Sequence, residues 1–182
     1  MLVVADREHL PVQQARAGDP EAWNVLFKRY QLPLYAYVFE LVQNEQASLD
    51  VVQETFITAA RHIAGLRDDA KLGSWLFGIA HQRCAQRWRK QNRETRALEE
   101  LAEAPADFDD DPGELLVRRE QEAEFMTALN RLPLPQRSAL LLHYLEDFSI
   151  EEIADITGVS AGTVKSRLHY AKRALRQLLE AP

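Results

Sequence analysis

The chain has 182 residues, of which 46% are hydrophobic, and its 22 lysines and arginines against 28 acids give a formal net charge of -6. This length permits one ordinary domain or two small ones, and the apolar fraction excludes a wholly disordered chain. A single cysteine excludes an internal disulfide framework and a multi-cysteine zinc site. No apolar run approaches the roughly 18 residues of a membrane span, and the charged stretch Met1–Leu10 does not match a signal peptide. We therefore expect a soluble, intracellular protein.

The charge is distributed unevenly along the chain. Residues 81–93 and 161–179 each hold five lysines or arginines and no acid. Residues 94–114 hold nine acids against Arg96, a balance of -8. Two basic patches separated by an acidic segment indicate contacts with a polyanion at two places.

The first half of the chain is predicted to form a lobe of four helices. Asp19 and Pro20 are typical of a helix start, because the Asp19 carboxylate caps free amides and Pro20 lacks an N–H that the first turn would leave unbonded. Apolar residues then recur at helical spacing, with an interruption at Pro33 that divides them into two helices. The third and fourth apolar stripes cover Val51–Ile63 and Trp75–Cys84.

A linker is predicted where the apolar period is lost. Residues 94–113 contain Pro105, Pro112 and the acid run, and they cannot bury enough surface to offset the entropy of ordering. We therefore predict an all-α protein with a helical domain at 1–93, a flexible acidic linker at 94–113 and a second helical domain at 114–182.

The second lobe is predicted to contain four helices, the first two at about 114–131 and 136–145. Ser149 and Glu152 match a capping box at the start of the third helix, and Gly158 stands where its end requires a left-handed residue. Ser160 then caps the fourth helix, which carries an apolar stripe formed by Val164, Leu168, Ala171, Leu175 and Leu178. A helix, a four-residue turn and a second helix form a helix-turn-helix.

The outward face of the last helix is basic and polar. It carries Lys165, Ser166, Arg167, His169, Lys172 and Arg173. A recognition helix in a major groove needs donors for base edges and cations for phosphates. A helical hairpin with a solvated basic face is the alternative, but the capping box, the turn glycine and the charge asymmetry favour DNA binding.

The fourth helix of the first lobe carries a second polar face, formed by Gln82, Arg83, Gln86, Arg87, Arg89 and Lys90. Cations, amides and the interleaved Trp88 suit a phosphate backbone and an unstacked base. A solvated helix face with both Trp75 and Trp88 in the core explains the same pattern. The residues alone leave both interpretations open.

The sequence offers little for catalysis. It has no phosphate-binding glycine loop, and His81-x-x-Cys84 is at most half a metal site. The acid run Asp107–Asp111 lacks the glycine and the terminal glutamate of a calcium loop. We therefore expect no enzymatic activity, metal, cofactor or small-molecule substrate.

Several short motifs occur in a fixed order along both lobes. They are Gly18-Asp19, Asp50-Val51-Val52-Gln53-Glu54-Thr55-Phe56, Trp75-Leu76, Ile79-Ala80, Leu132-Pro133, Glu151-Glu152-Ile153-Ala154 and Gly162-Thr163-Val164-Lys165-Ser166-Arg167-Leu168. In this order they resemble the extracytoplasmic-function (ECF) group of bacterial RNA polymerase sigma factors, over about residues 18–179.

The resemblance implies a subunit that binds core RNA polymerase, at its clamp helices and flap, and reads promoter DNA both as duplex and as a melted single strand. Docking on core polymerase is expected from Asp50, Gln53 and Glu54, with Val52 and Phe56 in the core; an ordinary solvated helix face is the alternative. Reading of the −10 element is expected from the loop Arg67–Ser74 and the helix after it, through Lys71, Trp75, Gln82, Arg83, Gln86, Arg87 and Lys90. Reading of the −35 element is expected from Lys165, Ser166, Arg167, His169 and Arg173.

Three residues depart from the family pattern. Gln82 and Gln86 stand where the family often has Asn and Asp, so an altered −10 preference is expected. Tyr170 stands where a basic residue is common, which implies either an altered −35 preference or the loss of a phosphate contact. Control by an anti-sigma factor is expected, with the protein in the cytoplasm or held at the inner face of the membrane. The alternative function is a stand-alone helix-turn-helix regulator that binds duplex operators, although no dimerisation helix is evident.

Overall fold

The computed structural model describes residues 10–99 and 117–180, with side chains described for 10–90 and 124–179. These residues form eight α-helices and no strand, which confirms the predicted all-α class. The helices are α1 Val12–Arg16, α2 Pro20–Val42, α3 Glu45–His62, α4 Leu72–Glu99, α5 Val117–Arg131, α6 Leu134–Tyr144, α7 Ile150–Thr157 and α8 Ala161–Glu180. Within the described ranges, no helix is long and apolar enough to cross a membrane.

α2 is one continuous helix, so the prediction of two helices interrupted at Pro33 is wrong. A proline inside a helix costs about 3 kcal/mol, because it removes one backbone hydrogen bond and its ring crowds the preceding turn. The residues on both sides of Pro33 share one buried face, with Tyr30, Leu34 and Tyr37 at most 4% exposed. Burying each such side chain contributes roughly 1.5–3 kcal/mol, so the continuous face outweighs the proline.

α1 was not predicted, because five residues are too few to show a helical period. It packs Val12 and Ala15 into the core beside α2. Trp23 fixes it further, since the Trp23 indole N–H donates to the carbonyl of Ala15 at 2.9 Å. α1 to α4 form the first lobe.

α4 runs to Glu99, six residues into the segment predicted as a linker. The rest of that segment, 100–113, lies outside the described residues, and the flexible linker stays a prediction. The buried face of α4 includes Leu76 and Phe77, and the Phe77 ring lies 5.4 Å from that of Tyr37 in α2.

The second lobe, α5 to α8, contains the predicted helix-turn-helix. Ser149 and Glu152 form the full capping box at the start of α7, and Gly158 ends it at a φ of 67°. Ser160 caps α8 by accepting from the backbone N–H of Thr163 at 3.2 Å. The stripe from Val164 to Leu175 is buried, as expected.

The two lobes pack against each other, α7 on α4 and α6 on α2. The Phe148 ring meets that of Phe77 edge-on, with centroids 5.0 Å apart. Gly78 lies against the backbone of Ile156, where an added Cβ would be 3.9 Å from the Ile156 Cα. The described residues therefore share one continuous hydrophobic core.

Candidate nucleic-acid interface

One face of α8 forms a basic groove of about 790 Å³ against α6 and the start of α7. Its polar lining from α8 is Lys165, His169, Lys172, Arg173, Arg176 and Gln177. Lys165, His169, Lys172 and Arg176 are spaced three or four residues apart, and the other two adjoin them, so the 3.6-residue period of the helix places all six on one side. All six are exposed. The groove therefore presents cations and hydrogen-bond donors in a row, as a phosphate backbone and base edges require.

Arg167 lies apart from the basic groove, although the sequence grouped it with Lys165, His169 and Arg173. It is two residues from Lys165, about 200° around the helix. Its side chain is half-buried and lines a cleft between the lobes. Ser166 is exposed and its hydroxyl donates to the Gly162 carbonyl at 3.1 Å. Of the five predicted −35 residues, three line the groove.

Most of the predicted −10 residues of the first lobe reach solvent. Lys71, Gln82, Gln86, Arg87 and Lys90 are exposed and Trp75 is half-buried. Trp88 is 40% exposed, so the part of the alternative that placed it in the core is wrong. The exposed cations and amides fit a solvated helix face and a nucleic-acid-binding face equally.

Arg83 joins two of the predicted surfaces. Its guanidinium forms an ion pair with Glu54 of α3 and donates to the Thr58 hydroxyl at 2.8 Å. Arg83, predicted to contact the −10 element, is thus bonded to Glu54, predicted to contact core polymerase. This pair ties α4 to α3, and no sequence pattern indicated it.

The predicted docking helix presents its polar residues as expected. Gln53 and Glu54 are exposed and Asp50 is half-exposed, where it accepts from the Gln46 amide at 3.1 Å. Val52 and Phe56 are buried. The polar side of α3 is therefore accessible to a partner.

A cleft of about 760 Å³ lies between the lobes, and it brings together residues of both predicted DNA-reading sets. Lys71, Trp75 and Gln82 line it from the first lobe, and Arg167 lines it from the second. At its edge the Lys71 ammonium lies 3.3 Å from the carboxylate of Asp155 in α7. Sequence reasoning missed Asp155, because nothing local pairs residues 84 positions apart.

Buried titratable groups near this cleft are held in their neutral forms. The Tyr37 hydroxyl and the His81 Nδ1 lie 2.8 Å apart. Burial, together with the smaller effect of the nearby Arg167 guanidinium, lowers the pKa of His81 to about 4. Burial raises the pKa of the Cys84 thiol to about 12. At neutral pH neither is an activated nucleophile, and no group of three or more His, Cys, Asp or Glu within the described residues is placed to hold a metal ion.

Glu146 is a second feature that the sequence did not reveal. It is 1% exposed, and neither carboxylate oxygen has a hydrogen-bond partner among the described residues. Burial raises the pKa of this carboxyl to about 8. The pKa of Tyr37, in the other lobe, is raised chiefly by its own burial, with smaller contributions from Cys84 and from Glu146. The turn that places it includes Asp147 at a φ of 60°, a left-handed conformation that Asp tolerates better than most residues.

Comparisons with known proteins define the class of this chain. The family model for sigma-70 region 2 matches residues 26–94, and the model for sigma-70 region 4 matches residues 122–175. The region 2 match covers most of the first lobe, and the region 4 match covers most of the second lobe. A chain with both regions in this order is a transcription initiation factor of the sigma-70 type.

Individual relatives show which group of sigma-70 factors the chain resembles. The chain is 32% identical over 172 residues to the ECF RNA polymerase sigma-E factor of Salmonella typhimurium, which covers 90% of each chain. It is 28% identical over 187 residues to the RNA polymerase sigma-H factor of Pseudomonas aeruginosa, covering 98% of this chain and 97% of that one. Among solved structures, the sigma factor RpoE from Bartonella quintana, in complex with the anti-sigma factor NepR, matches with a TM-score of 0.64 and 29% identity over 86% of this chain and 97% of that one.

The chain belongs to the ECF group of RNA polymerase sigma factors, the subunits that direct core polymerase to promoters. The resemblance inferred from the sequence motifs is therefore confirmed. The stand-alone helix-turn-helix regulator is not favoured, because the region 2 match gives the first lobe a role that such a regulator does not need.

Proposed function

We propose that the two lobes of this sigma factor, with the predicted bounds 1–93 and 114–182, have different binding functions. The polar side of α3 binds core polymerase, α4 and the loop before it read the −10 element as melted strand, and α8 reads the −35 element as duplex. The observation that carries the proposal is the basic groove of α8 on a fully capped helix-turn-helix.

Each lobe is assigned the residues that its surface offers. The α8 set is Lys165, Ser166, Arg167, His169 and Arg173, the −10 set is Lys71, Trp75, Gln82, Arg83, Gln86, Arg87 and Lys90, and the docking set is Asp50, Gln53 and Glu54. The exposed face of α8 supports Lys165, Ser166, His169 and Arg173, and the polar face of α3 supports the docking set. Arg167 lines the interlobe cleft and becomes accessible to DNA when the lobes separate. The α4 set includes Arg83, which exchanges Glu54 for a phosphate when DNA binds.

The packed arrangement of the lobes does not suit simultaneous reading of both elements. Elements centred at −10 and −35 are about 25 base pairs apart, or about 85 Å of duplex at about 3.4 Å per base pair. Lys71 and Arg167, assigned to different elements, line one cleft. The lobes therefore separate when the chain joins core polymerase.

The cellular location and the regulation of the protein are also part of its proposed function. The protein acts in the cytoplasm, without enzymatic activity of its own, and an anti-sigma factor holds it inactive. The Bartonella quintana sigma factor solved with NepR supports this last point, because it covers most of the chain at a TM-score above 0.6.

The test is run-off transcription with purified core polymerase on a pool of genomic fragments, with and without the chain. We expect new start sites that depend on the chain and share two upstream elements. A variant with Lys165, His169 and Arg173 all changed to Ala should lose those starts while still binding core polymerase. Specific binding to operators by the chain alone, with no new starts, would overturn the proposal.

A further inference from the structure

One side chain of α1 holds the segment that joins α3 to α4. The Arg16 Nη2 donates to the Leu66 carbonyl at 2.9 Å and to the Asp69 Oδ1 at 2.7 Å. The Arg16 Nε reaches the Ile63 carbonyl at 3.5 Å. These acceptors are spread along segment 63–71, which consists of two short 3-10 turns and the bend between them. A single guanidinium therefore fixes both turns.

Gln13 completes this network. Its amide donates to the Asp69 Oδ2 at 2.6 Å and accepts from the Arg16 Nη1 at 2.8 Å. Both carboxylate oxygens of Asp69 are thus bonded from α1. The Arg16 and Asp69 side chains are only 24% and 34% exposed, so their charge-assisted bonds are less screened than those of a fully exposed pair.

The helix that carries this network, α1, is itself anchored to the first lobe. Val12 and Ala15 anchor α1 in the core, and Trp23 of α2 donates to the Ala15 carbonyl. α1 is therefore fixed to the long helix α2, and the segment takes its position from α1.

The segment leads directly into residues assigned to the −10 element. Lys71 is its last residue, and Trp75 lies one turn further on in α4. Asp68 supports the second 3-10 turn by accepting from the Ala70 N–H at 3.0 Å. A recognition site keeps its selectivity only if its groups stay within about 0.5 Å of the productive geometry. Because Lys71 ends this segment, any shift of the segment moves Lys71 with it.

We propose that Arg16 is a positioning residue for −10 recognition. Through Asp69 it sets the position of segment 63–71, so that base preference at the −10 element depends on a side chain that does not touch the DNA. This inference rests on the proposed function, because it takes Lys71 and the start of α4 as part of the −10 reader.

The experiment uses core polymerase, the full chain and a promoter found by the run-off assay. Open-complex formation is measured on that promoter and on a series with each −10 base changed, the −35 element being constant. The variants are Arg16→Ala, Arg16→Lys and Asp69→Asn. The control is Arg61→Ala, which removes an exposed arginine near the end of α3. Affinity for core polymerase and the thermal unfolding midpoint are measured in parallel.

For Arg16→Ala we expect roughly tenfold less discrimination between the preferred −10 bases and their replacements, the equivalent of one charged hydrogen bond. Asp69→Asn should show a smaller loss of the same kind, Arg16→Lys should restore part of it, and Arg61→Ala should show none. These discrimination ratios distinguish a positioning role from simple destabilisation of the protein, because destabilisation lowers open-complex formation on all promoters equally.

An unchanged discrimination ratio in both Arg16→Ala and Asp69→Asn would overturn this inference while leaving the proposed function intact. The absence of chain-dependent starts with the unmodified protein would instead overturn the proposed function. The two failures are therefore distinguishable in one set of reactions.

Discussion

Arg167 faces the first lobe in this arrangement, although it belongs to the helix assigned to the −35 element. Its guanidinium lines the interlobe cleft and contributes to the lowered pKa of His81 in α4. Arg167 therefore reaches duplex DNA only after α8 has left α4. Substitution of Arg167 can therefore be measured both in the packed free chain and in the promoter-bound chain.

We expect Arg167→Ala to weaken binding of the holoenzyme to a promoter with an intact −35 element by roughly 1–3 kcal/mol, the usual value of one base-edge contact. The measurement is promoter affinity with intact and scrambled −35 elements, and Lys28→Ala, which removes an exposed cation from α2, is the control. Equal affinity ratios for Arg167→Ala and the unmodified protein would reject the assignment. In the free chain, the same substitution should raise the pKa of His81, measured by NMR titration, because a neighbouring positive charge is removed.

Glu54 offers a second test at the scale of one residue. We expect Glu54→Lys to lower affinity for core polymerase at least tenfold, because it reverses a charge on the proposed docking face of α3. Its ion pair with Arg83 is partly exposed, so breaking it alone should cost at most about 1 kcal/mol of stability.

Arg83→Ala is the matched control for this experiment, since it breaks the same pair and leaves the charge on α3 in place. Core affinity is measured without DNA, so that any role of Arg83 at the promoter does not enter. If both variants lose core affinity equally, the ion pair and not the docking face is responsible.

At the scale of elements, the ends of helices were predictable where a side chain closes them. Ser149, Glu152 and Gly158 fix both ends of α7 through local bonds, and the sequence pattern placed them correctly. The interruption expected at Pro33 was wrong, because a local rule for proline does not include the buried face that continues on either side. α1 was missed because it depends on the core and on the indole of Trp23 rather than on its own period.

The turn of the helix-turn-helix allows a clean test of backbone strain. An added Cβ at Gly158 meets nothing within 4 Å, so Gly158→Ala introduces no clash, only the strain of a φ of 67°. We expect a loss of about 1–2 kcal/mol in the free energy of unfolding, measured by denaturant titration. Because α8 depends on this turn, −35 binding should fall as well.

Gly65→Ala is the matched control for the turn. That glycine also has open space around it, but its φ is not left-handed. Its replacement should leave stability unchanged or raise it by a few tenths of a kcal/mol, since alanine restricts the unfolded chain. Equal losses at both positions would show that the left-handed conformation is not the cause.

At the scale of the whole molecule, the packing of the lobes had no signature in the sequence. It joins residues far apart along the chain, such as Phe77 with Phe148 and Lys71 with Asp155. Periodicity identifies which face of a helix is buried but does not say against which partner. Glu146 shows the same limit, because an acidic residue next to Asp147 has the composition of an exposed turn and is nevertheless buried.

Burial of Glu146 links the packing of the lobes to pH. In the packed state its pKa is raised to about 8, and we expect separation of the lobes to return it to the ordinary 4.5, so that between these values the packed state holds a proton that the separated state releases. The contribution of Glu146 to packing is therefore full below pH 4.5 and falls as pH rises towards 8, by about 1.4 kcal/mol per pH unit. The raised pKa of Cys84 lies above this window. Loss of Arg167 on separation raises the pKa of His81 from about 4 towards 6.5 and opposes the effect of Glu146 below pH 6.5, so the weakening of packing is clearest between pH 6.5 and 8.

We therefore expect the lobes of the free chain to separate more at pH 8.5 than at pH 6.5. The distance is measured by fluorescence energy transfer between dyes on Asn24→Cys and Gln177→Cys, both exposed positions, in a Cys84→Ala background. Glu146→Gln keeps the shape of the side chain but has no proton to lose, so its transfer efficiency should stay high across the range. If that variant shows the same pH dependence as its parent, another group controls the opening. If both stay closed at pH 8.5, the contacts of Phe148 and Ile156 outweigh the charged carboxylate, and separation of the lobes then requires core polymerase.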